Sequence, residues 1–200
     1  MMVLNYIVSL ILAPLIAAII IAVVWIKRDK YRYPQMITSF ILGMISIAVV
    51  MLFMSIADRY YLNEFRNIRR IIFYSFVVMG LGSELGKFII LRYHNFNKSS
   101  FNGPLDGIVY SVMISMGFTF ISNVLYFLLP YYSEIDFLYA ITVVFANLFF
   151  AVIMGFFVGM AKTRENMFVD TMTGLLAASF FHALFNFCFI TKDNHVPSFV

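Results

Sequence analysis

The sequence predicts an all-α, multi-spanning integral membrane bundle of about six transmembrane helices. Three observations predict it. Six apolar runs, at residues 5–26, 35–56, 71–91, 107–130, 137–161 and 168–190, each have about the length a helix needs to cross the hydrocarbon core. Of the 200 residues only 12% are charged, where a soluble chain has about 25%, and 62% are hydrophobic. None of the runs alternates with the period of two that a barrel strand requires, and lipid otherwise leaves only helix to satisfy the backbone.

The first run, 5–26, is followed rather than preceded by its basic residues, Lys27, Arg28, Lys30 and Arg32. That order predicts a spanning helix and not a cleavable signal peptide. The second run, 35–56, leads into a segment holding Arg59, Arg66, Arg69 and Arg70 with Asp58 and Glu64, expected to lie as an interfacial amphipathic stretch. The third run, 71–91, contains Glu84 and Lys87. Asn95 to Pro104, rich in Asn, Ser, Lys, Gly and Pro, reads as a plain loop. Asp106 opens the fourth run, where an acid caps a helix and complements its dipole. The loop at 131–136 carries Glu134 and Asp136 and no base. Counted by loop, eight Lys/Arg fall on one side and five on the other, which favours both termini outside. Glycines at 80, 82, 86, 155 and 159 allow close helix approach. With no repeat and no long linker, residues 1–200 read as one membrane domain. The lone Cys188 excludes an intramolecular disulfide and a multi-cysteine metal site. The net charge of +4 sits beside apolar runs, where it meets lipid headgroups and not nucleic acid.

A charged side chain near the bilayer centre costs about 2.5–3.5 kcal/mol, so it normally faces protein. Glu84 and Lys87, three residues apart, share a helix face. Two readings follow: an ion pair that orders the bundle, or a base, ligand or proton carrier in a polar cavity. Phe118 and Ser122 are four apart; taken alone, Ser122 is a hydroxyl that bonds back to its own helix. The amides of Asn123 and Asn147 need partners inside an apolar run. His182 and Asn186 are also four apart and can aim at one point. A lone helical His is more often an interhelical hydrogen-bonder. The joint expectation is that Asn123, His182 and Asn186 converge with Glu84 on one buried site. His94 and His195 read as solvated.

The stretch SELGKFIILRY, residues 83–93, resembles the EExxK helix of the PrsW family of intramembrane proteases. DGIVYSVMISMGFTFISNVLYF, residues 106–127, resembles that family's GFxxxEN motif, and HALFNF, residues 182–187, its HxxxN motif. The Pro14 helix, the KRDKYRYP junction and the following FILGMIS resemble its opening. The resemblance implies kinship to the prenyl endopeptidases and their bacteriocin-immunity relatives, in which two Glu, a His or Glu and an HxxxN helix form the active site. It further implies a peptidase acting on a membrane-embedded single-span protein, in a bacterial or archaeal cytoplasmic membrane. Carried over, Glu84 and His182 become catalytic candidates and tentative ligands of a divalent metal such as zinc. Lys87, Asn123, Asn186, Ser83, Ser122 and Asn147 become substrate- or water-positioning candidates.

The sequence departs from that pattern. Ser83 stands for the first Glu, Ser122 for the Glu of the second motif, and Asn147 for a frequent His. Hydrolysis needs a base to activate water, and a metal needs three good ligands, so these departures put peptidase activity in question. A Ser83–Lys87 dyad is conceivable, but Lys87 is equally the expected partner of Glu84. Two alternatives stand beside a peptidase. One is a non-catalytic protein that sequesters a transmembrane partner. The other is a small transporter using Glu84 and Lys87 as a relay, which no broken-helix pair supports.

Overall fold

Each apolar run is helical in the computed structural model, which describes residues 2–27, 33–65, 67–128 and 137–193. Arg28, Lys30, Arg32, Arg66, Glu134, Asp136 and His195 lie outside the described residues. The helices are α1 (Met2–Lys27), α2 (Tyr33–Arg59), α3 (Ile68–Asn95), α4 (Pro104–Leu128), α5 (Phe137–Met160) and α6 (Met167–Asp193). By length and composition, α2 to α6 each contain a stretch able to cross a membrane; the corresponding apolar stretch of α1 is the shorter Leu10–Val24. Side chains facing outward are apolar. On α1, Ile11, Leu15, Ile19 and Val23 recur every fourth residue and are exposed, while Ala13 and Ala17 are buried. An apolar exterior around a polar interior belongs in lipid.

Helix α4 lies at the centre. It packs against α5, the first half of α2, and α1; α5 then packs against α6, and α6 against the first half of α3. The middle of α3 closes on the second half of α2. Small residues set these distances. A Cβ on Gly86 would stand 2.5 Å from the carbonyl oxygen of Ser46, and one on Gly80 2.7 Å from that of Ser179. Glycines therefore bring α2 and α6 hard against α3 on both sides of Glu84. The second half of α2 starts after Ser46, whose Oγ donates to the Gly43 carbonyl at 2.6 Å.

Helix α3 differs from the uniform helix expected of run 71–91. Its π-helical segments, Tyr74–Leu81 and Ile90–Asn95, flank an α-helical centre, Gly82–Ile89. Asn67 caps its start, accepting the Arg70 backbone N–H at 3.0 Å.

At four places the local structure refines or departs from these expectations. No amphipathic helix lies between α2 and α3 among the described residues. The chain reverses at Tyr61 (φ 55°), and Arg70 Nη1 donates to the Tyr61 carbonyl at 2.7 Å. Asp106 sits inside the first turn of α4, which Pro104 opens, and its Oδ2 accepts the backbone N–H of Asn102 at 2.9 Å. The acid thus reaches back over the helix start, as a capping box does, with Pro preorganising the first turn. His94 lies in the helical end of α3, half-buried, and not in a loop. The segment after α3 is no plain loop: Asn95, Phe96 and Phe101 are buried. Asn95 Nδ2 donates to Ser39 Oγ at 2.7 Å, while the hydroxyls of Ser100 and Tyr110 both bond Gln35 Oε1.

Candidate active site

The α-helical centre of α3 turns its polar face inward. Ser83, Glu84 and Lys87 are all buried there, as the i, i+3 spacing of the two charges requires. Lys87 Nζ donates to Glu84 Oε1 at 2.5 Å. His182 Nδ1, from α6, lies 2.6 Å from the same oxygen. An ionised carboxylate only accepts, so Nδ1 is the donor of this pair; in the neutral ring Nε2 is then the acceptor. The imidazole is further fixed by stacking on Phe150 of α5, with ring centroids 4.9 Å apart.

Lys87 has a second acceptor, Asn147 Oδ1 of α5, at 2.8 Å, and lies over the Phe118 ring of α4, 4.8 Å from its centroid. The charged cluster therefore joins α3, α4, α5 and α6. Both donors to Glu84 meet on Oε1. Oε2 is buried and has no hydrogen-bond partner among the described residues.

Beside this cluster opens a small cleft, with about 60 Å³ of room for water-sized groups. Ser83, Ser122, Asn147 and His182 supply its polar wall, and side chains such as Met51, Met54 and Met79 its apolar wall. Among the described lining residues none is a carboxylate: Glu84 contacts His182 but does not itself line the cleft. Asn123 and Asn186 are buried but do not line it either. Asn186 Nδ2 donates to the His182 carbonyl one turn back along α6, at 3.1 Å. Of the residues expected to converge with Glu84, the structure brings His182 into contact and keeps Asn123 and Asn186 apart from the cleft.

Comparison with known proteins bears on what this arrangement is. The sequence profile of the family described as "PrsW family intramembrane metalloprotease" matches residues 32–200. The chain belongs to the PrsW family. Among its PrsW relatives, the Protease PrsW of Oceanobacillus iheyensis is 30% identical over 163 residues, covering 80% of this chain and 73% of that protein. The Protease PrsW of Clostridioides difficile is 28% identical over 186 residues, covering 86% and 76%, and that of Bacillus subtilis 28% over 173 residues, covering 85% and 76%. No solved structure matches. PrsW membership and the helical spans make this an integral protein of the bacterial cell membrane. The family profile begins at residue 32, so α1 and its Pro14 lie outside it.

The description of the PrsW family implies a metal, and the donor set here can be tested against one. Among the described residues no three His, Cys, Asp or Glu side chains are grouped to hold an ion. The two ligand candidates, Glu84 and His182, meet each other, and an ammonium sits on the carboxylate oxygen they share. Two unit charges 4 Å apart repel by about 4 kcal/mol at an effective dielectric near 20, and a divalent ion doubles this. The described residues do not fit a divalent ion.

Proposed function

We propose that this PrsW-family chain engages the membrane-spanning helix of a single-span protein in the cleft and holds it without hydrolysing it. One observation carries this reading. The one carboxylate of the charged cluster, Glu84, is held by Lys87 and His182, while the cleft wall offers hydroxyls, an amide and an imidazole. Water activation wants a base with a free lone pair facing the substrate, and of these groups only the imidazole supplies one. The apolar wall, with its methionines, suits a variable apolar helix, since Met adapts its shape to irregular surfaces.

A second reading, slow peptidase action, is favoured by the Glu84–His182 contact of 2.6 Å. Glu84 orients the ring through Nδ1 and leaves Nε2 as the general base for a water in the cleft. Ser83 and Ser122 hydroxyls are then the neighbouring donors.

The experiment uses the full chain in detergent with a panel of fluorescently tagged single-span proteins. Binding is read by crosslinking and hydrolysis by gel. Expected is capture of at least one single-span protein, weakened by Met51→Trp or Met79→Trp, with no detectable cleavage. Turnover of a captured protein, lost in both Glu84→Gln and His182→Ala, supports the second reading over the first. Failure to capture any single-span protein sinks both.

A further inference from the structure

The cation at the centre of this chain belongs to the chain itself. Lys87 Nζ is held by three groups from three helices: Glu84 Oε1 at 2.5 Å, Asn147 Oδ1 at 2.8 Å, and the Phe118 ring with its centroid at 4.8 Å. An ammonium has three hydrogens to place, and a carboxylate, an amide oxygen and a ring face receive them. The amide is itself aimed. Asn147 Nδ2 donates to the Val143 carbonyl at 3.0 Å, one turn back, which directs Oδ1 toward Lys87. Ser115 Oγ donates to the Asn147 carbonyl at 3.0 Å and ties α4 to α5 at that level. This cage is built from buried side chains: Glu84, Lys87, Asn147 and Phe118 are all buried.

We propose that the Lys87 ammonium is the resident cation of this site, and that it excludes the divalent ion that the family's description implies. Charge balance is the reason. The cluster holds one carboxylate, already offset by the ammonium in contact with it. A divalent ion would add two positive charges and no anion, in a place where water cannot screen them. The polar residues of the cleft wall (Ser83, Ser122, Tyr126, Asn147 and His182) are hydroxyls, an amide and an imidazole and bring no carboxylate. Catalytic zinc takes three protein ligands, and the described residues offer at most two good ones here, His182 and Glu84 through Oε2, with the ammonium held on the same carboxylate. His182 then keeps its orientation through Glu84, with no metal needed to fix the ring. The inference concerns the cation and stands whether the chain cuts its partner or only holds it.

The test measures metal directly. The full chain, purified in detergent, is incubated with zinc chloride, desalted, and assayed for zinc by elemental analysis. Wild type is expected to retain less than about a tenth of an equivalent, with an unchanged thermal midpoint in zinc. The variant K87Q/N147H removes the ammonium and adds an imidazole beside Glu84 and His182. It is expected to retain about one equivalent and to gain thermal stability in zinc. Two results overturn the proposal: one zinc per wild-type chain that is lost in His182→Ala, or a folded K87Q/N147H that stays empty. Should K87Q/N147H fail to fold, the wild-type stoichiometry decides: an empty protein supports the proposal and a loaded one overturns it.

Discussion

Where α3 ends, Asn95 joins Ser39 while Ser100 and Tyr110 bond Gln35, all neutral groups. Earlier in the same helix, Glu84 and Lys87 meet His182 of α6, which brings a charged pair and an imidazole onto one oxygen. The neutral cluster places its bonds on two uncharged acceptors, Ser39 Oγ and Gln35 Oε1, and fastens the segment after α3 to α2 and α4. The charged cluster gathers an ammonium and an imidazole on Glu84 Oε1, and each cluster leaves one buried oxygen without a partner among the described residues, Glu84 Oε2 in one and Asn95 Oδ1 in the other. A neutral network loses about one hydrogen bond when a member is removed, whereas a charged one leaves a bare ion behind. The difference separates what holds the bundle from what is poised beside the cleft.

Mutation sharpens that contrast, and the largest effect is expected at the charge. Glu84→Ala strands the Lys87 ammonium, and should lower unfolding free energy by about 3–5 kcal/mol in denaturant titrations. The double variant E84Q/K87M removes both charges and should recover most of that loss. Equal losses in E84A and E84Q/K87M would mean that the ion pair is not the source. Gly86→Val forces a side chain against the Ser46 carbonyl and should cost roughly 1–3 kcal/mol by thermal unfolding, through separation of α2 from α3. Gln35→Ala leaves the Ser100 and Tyr110 hydroxyls without their shared acceptor, at about 1–3 kcal/mol. Tyr110→Phe removes one donor from that cluster and should cost about 0.5–1.5 kcal/mol. A Gln35 variant as damaging as E84A would erase the distinction between the two clusters.

The helices were legible because lipid permits little else: apolar runs of spanning length read directly as α1 to α6. Glu84 and Lys87 were legible as a pair from their spacing, and His182 as a polar group without another reason to be in lipid. The roles of Asn147 and Phe118 were not. Their places around the ammonium depend on how α4 and α5 dock on α3, which no spacing within one helix encodes. At Asn186 the spacing to His182 does not announce the bond its amide makes back to the His182 carbonyl. The Gln35 cluster was overlooked because polar residues at the ends of apolar runs are ordinary interface residues and carry no signal. The π-helical segments left none either, since the choice between i→i+4 and i→i+5 bonding is made by packing.

Those π segments make the charged stretch tolerant of a change in chain length. A π turn holds a surplus residue relative to an α turn. One residue deleted between 74 and 81 can therefore be absorbed by converting π to α, leaving Ser83 to Lys87 in register with α6. The same deletion in α4, between 108 and 117, meets no described π segment. There it would rotate Phe118 by about 100° relative to the preceding turns, off the ammonium it covers. Among related chains, single-residue length differences are accordingly expected before Ser83 and not before Phe118.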